Sequence, residues 1–116
     1  MKPQYIKNYI SDTKTAFKHL HDDLQWLEVT PARKEYFMSD MPISYTYGIG
    51  ESARTYNSSL FSIPVKEMMD KLNNDFSCNY NVCFLNRYDT QKNGLGWHAD
   101  DSPEMNAEHP ICVISF

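Results

Sequence analysis

Two short apolar runs, separated by a polar turn that contains glycine, constrain the fold of this chain more than any other feature. The first run, 82–88, reads Val-Cys-Phe-Leu-Asn-Arg-Tyr, and the second, 110–116, reads Pro-Ile-Cys-Val-Ile-Ser-Phe. Each run is too short for a typical helix and is rich in strand formers. The sequence therefore predicts that both runs are strands of one sheet.

Side chains two residues apart in a strand share a face. Asn86 and Tyr88 would therefore place two hydrogen-bonding groups on one face at the end of the first run. His98 and Asp100 follow the turn with the same spacing. An imidazole and a carboxylate on one side supply two of the three protein ligands of a non-haem Fe(II) site. Taken alone, a His-X-Asp tripeptide is also typical of a solvated polar loop, so both interpretations stay open at this point.

Length and composition indicate one ordinary globular domain spanning 1–116. The chain is 41% hydrophobic and 14% aromatic, which argues against disorder. Its net charge of −4 is mild evidence against an independent nucleic-acid binder, which would usually be basic. Three cysteines without a Cys-X-X-Cys pair suit a reducing compartment. No apolar run reaches the length of a membrane span. We expect a soluble intracellular protein, in the cytoplasm or in the nucleus of a eukaryotic cell.

The rest of the chain alternates between helical and extended patterns. Apolar residues at helical spacing predict helices over 12–25 and over 64–76, the second with a proline in its first turn. An edge strand is predicted over 33–38 and a second strand over 43–47, whereas the polar stretch 51–62 is predicted to be a loop. The sequence thus predicts an α+β domain, with two helices packed on one side of an antiparallel sheet.

Tyr45 and Tyr47 are two residues apart in the predicted strand 43–47 and would share one face. They suit an aromatic core, and they equally suit a surface on which a nucleic-acid base stacks. The residues alone leave both interpretations open.

Several motifs in a fixed order resemble the AlkB family of Fe(II)- and 2-oxoglutarate-dependent dioxygenases, which demethylate nucleic-acid bases. They are Asn-Arg-Tyr at 86–88, Gly-Leu-Gly-Trp-His-Ala-Asp-Asp at 94–101, and Pro-Ile-Cys-Val-Ile-Ser-Phe at 110–116. The resemblance extends upstream through Arg-Lys at 33–34 and Tyr-Thr-Tyr-Gly at 45–48. It implies a partial double-stranded β-helix, the jelly-roll-like oxygenase fold. A base-recognition lid would occupy about 26–60, and the first half of the cradle about 81–116.

The same resemblance assigns the catalytic and cofactor-binding residues. His98 and Asp100 match the first two Fe(II) ligands, and Asn86 and Tyr88 match the residues that hydrogen-bond 2-oxoglutarate. The implied reaction consumes 2-oxoglutarate and O2, yields succinate and carbon dioxide, and hydroxylates an N-methyl group that then leaves as formaldehyde.

The implied substrate is a methylated base in a single strand or flipped out of a duplex. Tyr47 matches the aromatic that stacks on this base, with the ring of His98 on its other side, and Tyr45 lies beside it in the lid. Ser102 stands where relatives commonly place an acidic residue that reads the exocyclic amine of the base. A hydroxyl can do less at that position, which puts the base selectivity in doubt.

The chain departs from the family pattern at its end. Relatives supply a second histidine ligand and an arginine for the distal carboxylate of 2-oxoglutarate on later strands, and no residue before Phe116 matches either. We therefore expect a truncated chain. Two alternatives remain open: a non-catalytic nucleic-acid-binding remnant of the same fold, and a zinc site made by His98, Asp100 and His109.

Overall fold

The computed structural model describes residues 3–31, 33–48, 50–90 and 110–116, with the backbone alone at positions 29, 30, 45, 47 and 52. In chain order, its elements are α1 (Thr13–Asp22), β1 (Leu27–Thr30), β2 (Arg33–Ser39), β3 (Ser44–Tyr47), a short 3-10 helix (Gly50–Ser52), β4 (Arg54–Asn57), β5 (Ser59–Leu60), α2 (Ile63–Phe76) and β6 (Val82–Arg87). None of these helices has the length and apolar character needed to cross a membrane.

Strand β2 is the centre of the main sheet. Along one edge it pairs antiparallel with β6, and along the other it pairs antiparallel with β1 and parallel with β5. Strands β3 and β4 form a separate antiparallel hairpin. The domain is thus a small α+β unit with two helices and a mixed sheet. The prediction of an antiparallel sheet was wrong, because the short β5 pairs in parallel with β2. The prediction of an edge strand at 33–38 was also wrong, because β1 and β6 pair with opposite edges of β2.

The two faces of the main sheet are covered by different elements. On one face, the ring of Tyr56 from the hairpin lies 5.0 Å from the ring of Phe84, which in turn neighbours Phe37 at 5.9 Å. On the other face, Arg87 hydrogen-bonds the main-chain oxygen of His21 in α1 at 3.2 Å. Helix α1 and the hairpin therefore lie on opposite sides of the sheet.

Helix α1 ends earlier than its apolar pattern predicted. It begins after Asp12, whose carboxylate accepts a hydrogen bond from the Thr15 N–H, and it ends at Asp22 rather than at 25. The indole N–H of Trp26 donates to the carbonyl oxygen of Leu20 at 2.8 Å. This bond satisfies one of the carbonyl groups that a helix end leaves unpaired, so the chain can leave the helix before 25.

Helix α2 matches its prediction closely. It has Pro64 in its first turn and buries Val65, Met69 and Leu72 on one side. Its start is tied to α1, because Nε2 of His19 lies 2.8 Å from the hydroxyl of Ser62.

Two predicted segments differ in the structure. The stretch 51–62, predicted to be a loop, contains β4 and β5, because the backbone pairs with β3 and β2 although most of its side chains are polar. The stretch 110–116, predicted to be a strand, has no strand assigned, and Val113 is exposed. Strand formers favour an extended backbone, but a strand also needs a partner edge. The Pro110 carbonyl oxygen of this stretch accepts a hydrogen bond from the Tyr80 hydroxyl, at 2.7 Å.

Ser77 ends α2 in the left-handed region, with φ of 51°. This conformation costs a residue with a Cβ about 1–2 kcal/mol, and glycine adopts it freely. We expect Ser77→Gly to raise the free energy of unfolding by roughly 0.5–1 kcal/mol, since the unfolded glycine chain gains entropy that offsets part of the benefit. Urea denaturation measures the change. Asn8 has a similar φ of 57°, and Asn8→Gly should gain less because asparagine tolerates this region. An equal or lower stability for Ser77→Gly would contradict the expectation.

Candidate functional site

A buried carboxylate lies between the main sheet and the hairpin. Glu35 is 0% exposed and is directly opposite Asn86 in the ladder between β2 and β6. Its Oε2 accepts hydrogen bonds from the Tyr56 hydroxyl at 2.8 Å and from Nη2 of Arg33 at 3.5 Å. Its Oε1 accepts a bond from Nη1 of Arg54 at 3.4 Å. Burying a charged carboxylate is costly unless such partners surround it. We call the unit formed by Glu35, Arg33, Arg54 and Tyr56 the Glu35 cluster.

The hairpin is fixed at its base and at its middle. At its base, the Ser58 hydroxyl lies 2.7 Å from that of Ser39 and accepts a hydrogen bond from the Ile43 N–H at 2.8 Å. At its middle, Tyr56 packs edge-on against a ring of the sheet and donates to Glu35. Burial raises the pKa of the Tyr56 hydroxyl, and its bond to the carboxylate adds to the rise. The phenol therefore remains a donor at neutral pH.

The tip of the hairpin depends on glycine. Gly48 and Gly50 have φ values of 93° and 69°, a region that residues with a side chain rarely adopt. They allow the chain to reverse between β3 and β4 within a few residues. After the reversal, β4 runs back along β3 and places Arg54 and Tyr56 next to Glu35.

The side chain of Asn86 is oriented by its neighbour on β2. Nε of Arg33 donates to Oδ1 of Asn86 at 2.9 Å. Because a guanidinium has only donors, it requires the amide oxygen on its side. The amide NH2 of Asn86 then points away from Arg33. Asn86 is exposed on this face of the sheet.

Tyr88, the second residue predicted to bind 2-oxoglutarate, lies one residue beyond the end of β6 and is 45% exposed. Arg87, between it and Asn86, belongs to the opposite face and contacts α1 and Asp89. The structure thus places Asn86 on the same sheet face as the Glu35 cluster and places Tyr88 next to the end of that strand.

Tyr45 and Tyr47 lie on β3, as predicted. Their backbones pair with Tyr56 and Arg54, the two residues of β4 that bind Glu35. Strand β3, which carries the candidate base-stacking residues, is therefore paired directly with β4, which contributes two residues to the Glu35 cluster.

The remaining site predictions, namely His98, Asp100, Ser102 and the alternative ligand His109, lie outside the described residues. Within the described ranges, no three His, Cys, Asp or Glu side chains are grouped closely enough to hold a metal ion. Of the described cysteines, Cys83 is a poor nucleophile because burial raises the pKa of its thiol to about 11.

The charges of the Glu35 cluster do not cancel. Arg33 and Arg54 carry two positive charges against one carboxylate, and their side chains are 11% and 40% exposed. This excess of positive charge includes Arg33, the guanidinium that is bonded to Oδ1 of Asn86. An amide donor next to a guanidinium is suited to bind a carboxylate or a phosphate.

Glu35 and Tyr56 were not predicted from the sequence to belong to a site. A signal was present in the spacing of β2. Every second residue of this strand shares one face, and that face carries both polar and apolar side chains, namely Arg33, Glu35, Phe37 and Ser39. Two of the partners of Glu35, Arg54 and Tyr56, are 19 and 21 residues away in the sequence, and no local pattern indicates them.

Comparisons of the chain with protein-family models, with curated proteins and with solved structures give no match.

Proposed function

We propose that this chain acts as an AlkB-like dioxygenase that uses Fe(II), 2-oxoglutarate and O2 to remove methyl groups from nucleic-acid bases, on a jelly-roll-like cradle. The observation that carries the proposal is the oriented NH2 group of Asn86, which Arg33 fixes on the sheet face beneath the β3–β4 hairpin. Asn86 is the residue that the resemblance assigns to 2-oxoglutarate, and the hairpin bears the tyrosines that it assigns to the base.

The described residues fit an anionic co-substrate. 2-Oxoglutarate has two carboxylates, and Asn86 offers N–H donors next to the net positive charge of the Glu35 cluster. Tyr88 would add a hydroxyl from the end of β6. His98 and Asp100 would hold Fe(II), which supplies the activation of O2 when it is bound. The role of the protein is to orient the co-substrate and to shield the site from water.

The β3–β4 hairpin would contact the nucleic acid. In this proposal Tyr47 stacks on the methylated base opposite His98, with Tyr45 beside it, and Ser102 lies near the exocyclic amine. The partly exposed Arg54 is on the neighbouring strand, where a guanidinium can attract the phosphates of a single strand. Such local positive charge allows contact with nucleic acid although the net charge is −4.

The test is coupled product formation by the intact protein. With Fe(II), ascorbate, 2-oxoglutarate and a methylated single-stranded oligonucleotide, we expect equal amounts of succinate and formaldehyde. His98→Ala and a metal chelator should each reduce both products to background. Tyr47→Ala should weaken oligonucleotide binding, because stacking on an aromatic contributes about 1–3 kcal/mol per base. The matched control is Tyr5→Ala, since Tyr5 is 88% exposed in the described N-terminal segment.

The outcomes separate the alternatives. Oligonucleotide binding without succinate would identify a non-catalytic nucleic-acid-binding module. Absence of both binding and succinate would contradict the proposed function. DNA and RNA oligonucleotides carrying the same methylated base would establish which nucleic acid is preferred.

A further inference from the structure

A serine, a histidine and an aspartate form a series of hydrogen bonds where α1 meets the start of α2. Nδ1 of His19 lies 2.9 Å from Oδ2 of Asp23, and Nε2 of the same ring lies 2.8 Å from the Ser62 hydroxyl. A charged carboxylate can only accept hydrogen bonds, so the neutral ring of His19 carries its proton on Nδ1. Nε2 then accepts the hydrogen bond that the Ser62 hydroxyl donates.

This order of groups is the one that activates a serine as a nucleophile. The imidazole can take the proton of the hydroxyl, and the carboxylate holds the ring in the required tautomer and stabilises the imidazolium that forms. A nucleophile and its base act over a separation of about 2.6–3.2 Å, and the Ser62–His19 pair lies within it. Such an arrangement recurs on unrelated folds and is identified by its geometry.

The position of Ser62 in the chain adds a group that can stabilise negative charge. Ser62 directly precedes α2, yet in the described stretch 50–90 its side chain makes no capping bond to the first turn of the helix. Its hydroxyl is bonded to His19 instead. Negative charge that develops on a substrate oxygen at Ser62 would lie next to the positive end of the helix dipole and the first-turn N–H groups of Ile63 and Val65.

The exposure of these residues suits a small uncharged substrate. The side chain of His19 is 16% exposed and that of Asp23 is 64% exposed, whereas Ser62 is half-buried. Leu60 and Ile63, on either side of Ser62 in the chain, are 61% and 76% exposed. These apolar side chains and the negative charge of Asp23 favour an uncharged acyl group over an anionic one. Because Asp23 is hydrated, it stabilises the imidazolium less than a buried carboxylate would.

We propose that Ser62 is the nucleophile of a second activity, the hydrolysis of small uncharged esters, with His19 as its base and Asp23 as the residue that orients the base. This inference goes beyond the proposed dioxygenase and does not depend on it. His19 lies on α1, across the main sheet from the hairpin and from Asn86.

The reaction needs water as its only co-reactant. Oγ of Ser62 forms a bond to the carbonyl carbon of the ester and the carbonyl electron pair moves to the oxygen, while Nε2 of His19 takes the hydroxyl proton. The bond from this carbon to the leaving oxygen then breaks, and His19 returns the proton to that oxygen, which departs as an alcohol. Water repeats both steps on the acyl-serine, which releases the carboxylic acid and restores the hydroxyl.

The experiment uses the intact protein and p-nitrophenyl acetate, without metal or 2-oxoglutarate, so its result is independent of the proposed function. We expect release of p-nitrophenol above the rate in buffer, and a label on Ser62 after treatment with an alkyl fluorophosphonate, located by peptide mass spectrometry. Ser62→Ala should abolish the label and the added release. His19→Ala should lower the added release about 100-fold, since a positioned base contributes about 10²–10⁴-fold. Asp23→Asn should lower it by a smaller factor.

His21→Ala is the matched control, because an imidazole can itself attack an activated ester. Nδ1 of His21 lies 2.7 Å from Oδ1 of Asp22, but its Nε2 lies 3.0 Å from Nη2 of Arg87 instead of a hydroxyl. The two histidines thus share a carboxylate partner and differ in the serine. His21→Ala should release p-nitrophenol at the wild-type rate.

Three results would overturn the proposal. If Ser62 stays unlabelled in the wild type, or if Ser62→Ala releases p-nitrophenol as fast as the wild type, the bond between Ser62 and His19 only joins the two helices. Unchanged release by His19→Ala would refute its role as the base. An acetyl group that remains on Ser62 would refute the hydrolysis step. If His19→Ala failed to fold, the wild-type label and Ser62→Ala, which loses a single hydroxyl, would still decide.

Discussion

Replacing Glu35 by alanine is expected to lower the free energy of unfolding by about 2–4 kcal/mol. Breaking a buried ion pair by removing one partner costs roughly 3–5 kcal/mol, and the cost is reduced here because Arg54 is 40% exposed and can be hydrated. The loss also leaves the Tyr56 hydroxyl without its acceptor beneath the hairpin. Urea denaturation should show a lower midpoint with an unchanged slope.

A second carboxylate of the same sheet provides the control for this substitution. Glu28 on β1 is 72% exposed and lies 3.4 Å from the ammonium of Lys34, an arrangement that contributes little to stability. Glu28→Ala should therefore leave the midpoint almost unchanged. Glu35→Gln keeps the shape and one acceptor oxygen, so its effect should lie between those of the two alanine variants. If Glu35→Ala were as mild as Glu28→Ala, the carboxylate would have to be hydrated in solution and the hairpin would not be closed over it.

The elements that the sequence predicted well are those that a local pattern of residues is sufficient to identify. Helix α2 was confirmed, because Pro64 marks its start and its apolar residues recur at helical spacing. Strand β6 was confirmed for Val82–Arg87, because its apolar run is too short for a helix. In both elements the local pattern and the tertiary packing favour the same conformation.

The errors occurred where a distant partner decides the structure. The charged start of β2, Arg33-Lys34-Glu35, favoured an edge strand, yet Glu35 is fully buried because Arg54 and Tyr56 arrive from the hairpin. In β4, Tyr56 alone is buried, and a single buried tyrosine among polar residues is typical of a loop. The backbone pairing with β3 that makes it a strand is a tertiary feature and leaves no trace in the composition.

The candidate site also depends both on local spacing and on contacts between residues far apart in the sequence. Asn86 lies on the face of β6 that receives the hairpin, as its bond to Arg33 and the ladder with β2 show. That its amide is oriented by Arg33 could not be predicted, since the two residues are 53 positions apart. Orientation of a ligand-binding group by a neighbouring side chain depends on three-dimensional distance rather than on spacing in the sequence.

Asn86→Asp is expected to lower the affinity for 2-oxoglutarate by on the order of 100-fold while leaving the fold intact. The new carboxylate still presents an oxygen to Nε of Arg33, so the bond at 2.9 Å is retained and becomes charge-assisted. The NH2 donors are lost, and a negative charge replaces them next to an anionic co-substrate. Hydrogen bonds to charged groups contribute about 1.5–3 kcal/mol, and each 1.4 kcal/mol corresponds to about tenfold in affinity.

The control for this substitution is Asn57→Asp. Asn57 also uses its Oδ1 as an acceptor, from the Ser44 hydroxyl at 2.8 Å, so the variant has the same net charge and keeps the same kind of bond. Isothermal titration of each variant with 2-oxoglutarate and Mn(II) compares the affinities, and thermal unfolding compares the stabilities. Wild-type affinity in Asn86→Asp would show that the amide does not contact the co-substrate. A large loss of stability would show instead that the amide NH2 has a structural partner. Because the bond to Arg33 survives the change, a selective loss of affinity comes from the lost NH2 donors together with the added negative charge at this position.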